Sequence, residues 1–196
     1  MTRTELIKYL RSLNACNEAI AWIEKTPGEP EDLWATCRRG DWLLCLLDAV
    51  AYDARTMRHI ACDIAEGTLH IYEQVYPNDP RPRNCIAVAR RYAGGEATDD
   101  ELLAAWRAAE KAARATSDAA VDAAAKSVVW AVFGDATKAA SWAAISNAAL
   151  AEFVETSAAA WDAAMVRHAD MIRARVSWAD VERLMERAAR EEKGDA

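Results

Sequence analysis

Apolar residues recur three and four positions apart along almost the whole chain, and no stretch alternates apolar and polar residues with β-branched side chains. That period is helical, so the pattern predicts an all-α fold with essentially no strand. At the front, Thr4 is placed to cap a short helix that turns Leu6, Ile7, Leu10 and Leu13 inward. Asn14 reads as a second cap, with Glu18 in the next first turn and Ile20, Trp22 and Ile23 following. Pro27 and Gly28 stop that helix, and Pro30 with Glu31 and Asp32 opens another that ends near Arg38-Arg39-Gly40. Gly40 reads as its left-handed cap, and Asp41 as the N-cap of an apolar helix through Trp42, Leu43, Leu44, Leu46, Leu47 and Val50.

A further helix is expected from about Asp53 to Val75, with Gly67 as a weak point. Pro77, Pro80 and Pro82 form a rigid turn, and Pro82 opens a helix carrying Ile86, Val88 and Tyr92 until Gly94-Gly95. Thr98 and Glu101 match a capping box for a long alanine-rich helix to about Phe133. Gly134-Asp135 interrupts, a second long helix runs from about Ala136 to Ala174, and Ser177 caps a terminal helix ending in a frayed tail, Arg190 to Ala196. The pattern therefore predicts a multi-helix bundle with an N-terminal cluster of shorter helices, residues 1–95, and a long alanine-rich helical hairpin, residues 96–196. Together they form one compact domain.

Composition adjusts this picture in two places. The apolar fraction of 53% overstates the core because so much of it is alanine, but eight tryptophans are available to fill it. Alanine helices approach closely, with the large rings in the wider gaps. A formal charge of −7 and a pI near 5.1 argue against general nucleic-acid binding, which needs surplus cations for phosphates. The five cysteines are odd in number and show no CxxC spacing, as expected of reduced thiols in a cytoplasmic protein. No signal peptide follows Met1, and the most apolar segment, Ala119 to Phe133, carries Asp122 and Lys126 and is too short to span a bilayer. Alanine-faced helices also leave room for a homo-oligomer.

Candidate chemistry is sparse. His59 and Cys62 stand three apart on one helix, with Asp63 or the more distant His70 as a third ligand, yet no known metal spacing is matched. Nucleophile elbows, phosphate loops and dinucleotide-binding glycines are absent, so neither catalytic residues nor cofactors are expected. The Arg39-Gly40-Asp41 tripeptide reads as cap chemistry. More distinctive is Asp79-Pro80-Arg81-Pro82-Arg83, where two prolines stiffen the backbone around two guanidiniums. Such a pair either grips a carboxylate or phosphate, or locks the front helices through Asp41, Asp79, Glu18 or Asp48. The candidate binding residues are Arg81, Arg83, Arg39, Asp41, Trp42 and Glu18.

Three motifs, Asn14-Ala15-Cys16-Asn17-Glu18-Ala19 with Trp22, Gly40-Asp41-Trp42-Leu43-Leu44, and Asp79–Arg83 with Ile86, precede the alanine-rich tail. With that tail they resemble the Imm5-like immunity protein family, helical proteins of bacteria with similar sequences in phage genomes. The resemblance covers residues 5–165. The chain departs from it in Cys45, where a bulkier apolar residue is expected, and in the valines of the alanine tract. It implies a non-enzymatic binding or inhibitory protein that occupies a protein partner, a toxin or a defence component. The competing expectation from the residues is a protein that sequesters a small anion or nucleotide signal, using Arg81, Arg83 and Arg39 beside Trp42.

Overall fold

The computed structural model describes residues 1–132, 134–135, 138–139, 143, 145, 147 and 154–191, the side chains of 154–156, 189 and 191 excepted. The helices, in order, are α1 Arg3–Ser12, α2 Asn17–Lys25, α3 Pro30–Thr36, α4 Gly40–Ala49 and α5 Ala54–Val75. They continue with α6 Arg81–Gly94, α7 Asp99–Ala113, α8 Ala119–Val132, α9 Val154–Arg173 and α10 Trp178–Glu191. Among the described residues there is no strand, and the fold is all-α.

The central element is α5. Its face of Ile60, Ala61, Cys62, Ile64, Ala65 and Leu69 is at most 1% exposed, and α8 and α6 cover it. Fully buried alanines stand on both helices, Ala61 and Ala65 on α5 and Ala124, Ala125 and Ala131 on α8, and side chains this small let helices pack closely. The largest core runs through both ends of the chain, from Leu6 and Leu10 through Leu44 and Leu47 to Ile172, Val181 and Met185. Trp34 and Trp178 are buried with ring centroids 6.3 Å apart, joining α3 to α10. Trp22, Trp42, Trp106, Trp130 and Trp161 are half-buried, while Trp142 lies outside the described residues, as do Phe133 and Phe153.

Helix ends are closed by long-range arginines. Arg173, at the C-terminus of α9, donates to the carbonyls of Cys37 (2.7 Å) and Trp34 (3.3 Å), satisfying the end of α3. Arg58 Nε donates to the Val132 carbonyl at 3.0 Å and closes α8, beside Gly134 with its positive φ of 73°.

Several boundaries differ from the sequence expectation, all but one for a local reason. Thr2, not Thr4, caps α1 through a capping box with Glu5. Asn14 is not a cap: it takes a left-handed φ of 54°, a region asparagine tolerates, and the extended Cys16 precedes α2. The alanine tract after Thr98 is two helices, because Asp118 accepts from the amides of Ala120 and Val121, both at 3.0 Å, and starts α8 afresh. Gly40 is not a left-handed cap either. It is the first residue of α4, where α9 crosses so closely that a Cβ would lie 2.6 Å from His168 Cβ.

Candidate binding site

The Asp79–Arg83 corner is built as the prolines suggest. Pro80 is the N-cap of α6 and Pro82 sits in its first turn, where a missing amide proton costs nothing. Asp79 receives the Arg81 fork, Nε at 2.8 Å and Nη2 at 2.5 Å, together with the Arg81 amide at 3.1 Å. The buried Tyr72 hydroxyl donates to the same carboxylate at 2.6 Å. The Arg81 guanidinium holds the Asp79 carboxyl far below the usual carboxylate range, and burial, aided by that carboxylate, pushes the Tyr72 phenol up to about 12.

Arg83 makes a second fork, to Glu73 on α5 at 2.6 and 2.7 Å, with Glu66 farther off at 3.9 Å. Two α6 turns along, Arg90 bridges Asp63 (2.8 Å) and Glu66 (2.6 Å), and Arg175 reaches Asp63 from the α9–α10 turn. Both guanidiniums of the corner therefore face carboxylates of their own chain: Arg83 bolts α6 to α5 through Glu73, while Asp79, held by Arg81, is tied to α5 by the Tyr72 hydroxyl. The shallow depression beside them, about 480 Å³ and rimmed by Tyr76, Pro77, Asp79 and Arg81, presents a carboxylate as well as a cation.

The other candidates gather elsewhere. Arg39, N-cap of α4, forks onto Asp41 at 2.8 and 2.6 Å, and its guanidinium carbon stands 4.5 Å from the Trp42 ring centroid. The Asp41 carboxylate raises the Arg39 pKa, with Glu18 adding from α2, where it is exposed. Trp22 of α2 meets Trp42 in a tilted pair with centroids 6.0 Å apart. The two half-exposed rings help line a small apolar cavity of about 60 Å³, together with Leu46, Trp34 and Trp178. The structure thus joins Arg39, Asp41, Trp42 and Glu18 on one face, and places Arg81 and Arg83 in a separate cluster.

Two features escaped the sequence reading. Trp22 stands in one of the motifs that carry the resemblance, and its pairing with Trp42 depends on how α2 meets α4. His168 is buried at 3% exposure against Gly40, and its Nδ1 has no hydrogen-bond partner. Burial pulls its pKa down to about 4, so the imidazole is neutral at pH 7. A histidine on a helical period carries no signal for such a placement. His59, on α5, also has a lowered pKa, first through burial and then through Arg175. Among the described residues no group of three or more His, Cys, Asp or Glu side chains is placed to share a metal ion, and no helix is long and apolar enough to cross a membrane.

This is an all-helical protein whose singled-out side chains form ion pairs and an aromatic face. A model of the family described as Imm-5 like putative immunity protein matches residues 51–174, α5 through α9, and the chain belongs to that family. The Asp79–Arg83 corner lies inside the matched stretch, and the Arg39–Trp42 face before it. No curated protein and no solved structure matches the chain.

Proposed function

We propose that the protein is a non-enzymatic immunity protein that neutralises a toxin, or a component of a defence system, by occupying it. Membership of an immunity family carries the class. One observation supports the contact surface: Trp22, Trp42 and Arg39 form a half-exposed aromatic–guanidinium cluster whose two rings help line an apolar cavity. Tryptophan and arginine are the residues that most often dominate the energy of protein interfaces, because they bury large rigid areas around a polar handle. Asp41 holds the Arg39 side chain in place, so little rotamer freedom is lost on docking. Glu18 stands at the rim. The internal ion pairs of Arg81 and Arg83 support a structural role for that corner, since both forks are engaged before any anion arrives.

Copurification from the native host, followed by reconstitution from purified components, tests this reading. The recovered protein is expected to bind one to one with the purified chain and to lose its toxicity in the complex. Repeated recovery of the chain alone, or a partner whose toxicity is unchanged when bound, counts against it. A nucleotide that raises the melting temperature, with the rise abolished by Arg81→Ala, favours the sequestering alternative instead.

A further inference from the structure

We infer that the Trp22–Trp42 face receives a cationic segment of a protein partner, with one aliphatic side chain seated in the cavity and a lysine or arginine beside it. The inference names the partner chemistry for the proposed immunity role, and it rests on this face being the contact surface. The cavity supplies the aliphatic half. Helices α2, α3 and α4 converge there, contributing Ala19 and Trp22, Leu33 and Trp34, and Trp42 and Leu46 respectively. Apart from the Cys37 thiol its walls are hydrophobic side chains, which offer water no good partners and suit an alkyl group. Size narrows the choice. An apolar cavity that admits benzene measures about 150 Å³, whereas about 60 Å³ fits the end of a single aliphatic side chain. Trp22, Trp42 and Leu46 are only half-buried, so the cavity lies within reach of a docked chain.

Charge supplies the cationic half. Residues 17–49, from the start of α2 to the end of α4, hold seven carboxylates and three cations. That net of −4 is more than half of the chain's formal −7, gathered in about one sixth of its length. Asp41 is matched by Arg39, Glu24 by Arg11 of α1, and Glu29 and Asp32 are occupied in the capping box of α3. Glu18 and Asp48 are exposed and, among the described residues, belong to no ion pair. Glu18 stands one helical turn before Trp22 on α2. Asp48 shares a stripe of α4 with Asp41, beside Trp42.

The cations do not cancel this field at the rings. Arg39 lies over Trp42 at 4.5 Å with its charge already taken up by the Asp41 fork. Lys25 is the last residue of α2 and Arg38 lies just past the end of α3, where each offsets a helix dipole. A partner cation therefore meets Glu18 or Asp48 when the alkyl group beside it is seated. Exposed carboxylates of this kind steer and orient a segment, while the cavity and the two rings hold it.

The test is a titration of the purified folded chain, read in its amide and indole NMR spectra, with three capped pentapeptides. They are Lys-Gly-Leu-Gly-Lys, the same peptide with Phe for Leu, and the same peptide with Glu for both Lys. The Lys–Leu peptide is expected to shift the resonances of Ala19, Trp22, Trp42 and Leu46, and to bind about tenfold or more tightly than the Glu peptide. The Phe peptide should bind more weakly than the Lys–Leu peptide. Ala19→Leu, which fills the cavity, should abolish the shifts. Glu18→Gln combined with Asp48→Asn, both surface changes that spare the fold, should bring the Lys–Leu peptide close to the Glu peptide. No shift with any peptide, equal binding of the Glu peptide, preference for Phe, or shifts away from this face would each overturn the inference. The immunity reading fails separately, when the recovered partner keeps its toxicity in the complex or binds Trp42→Ala at full affinity.

Discussion

A Cβ added to Gly40 would lie 2.6 Å from the Cβ of His168 and 2.9 Å from the Ala169 amide nitrogen. The start of α4 is thus pressed directly against the C-terminal half of α9, and only a hydrogen on Gly40 fits there. The same contact buries His168 and shuts its Nδ1 away from any partner. Because Gly40 sits between Arg39 and Asp41, the packing of α9 also sets where the Arg39–Asp41 fork stands on the surface.

Gly40→Ala must move α4 away from α9 or displace the His168 side chain. Overpacking of this kind costs about 1–3 kcal/mol. Denaturant unfolding should show the midpoint falling with an unchanged slope, and an unaltered midpoint would mean that the two helices do not meet so closely.

His168 gives the stability of the fold a specific pH dependence. Its pKa falls from 6.5 in the unfolded chain to about 4 when folded, so the unfolded chain binds the proton first as pH drops. The contribution is complete above pH 6.5 and is lost progressively toward pH 4, to a total of about 3 kcal/mol. His59 acts in the same direction. Unfolding measured at pH 7.5, 5.5 and 4.5 should fall more steeply for the wild type than for His168→Leu. Parallel curves would show that the imidazole is not buried neutral.

The two corner arginines should separate cleanly in stability measurements. Asp79 is 17% exposed and takes bonds from Arg81 and Tyr72, so Asp79→Ala strands both and should cost about 2–3 kcal/mol. Arg83 is 55% exposed and its pair with Glu73 is surface chemistry, so Arg83→Ala should cost about 1 kcal/mol or less. Acid affects Asp79 differently from His168. A carboxyl held below its ordinary pKa of 3.8 contributes stability above that value and loses it only in stronger acid. Equal costs for the two substitutions would remove the distinction between a half-buried bolt and a surface pair.

Much of this fold was legible in the residues because helical period and cap chemistry are local. The all-α class, the Pro80–Pro82 opening of α6, the Thr98 capping box and the Ser177 start of α10 all come from neighbours within four positions. The Gly40 error arose because a distant helix decides, and the Asp118 one because a local signal was hidden. Gly40 looks like a cap until α9 is placed against it, and the alanine run conceals that Asp118 starts a new helix without glycine or proline to mark it. At the candidate site, Asp79 was among the expected partners of Arg81, whereas Arg39-Gly40-Asp41 read as caps and its ion pair came only with the structure. The Glu73 partner of Arg83 and the Trp22–Trp42 contact required the packing of α5 on α6 and of α2 on α4.

The central claim is that the Trp22–Trp42–Arg39 face, and not the Arg81–Arg83 corner, meets the partner. Calorimetric titration of the reconstituted partner against Trp42→Ala and Arg81→Ala tests it most directly, with each variant first shown to be folded. The account predicts that Trp42→Ala weakens binding by about tenfold or more, as an interface anchor does, while Arg81→Ala leaves the affinity within about twofold. Full affinity in Trp42→Ala with a large loss in Arg81→Ala would contradict it.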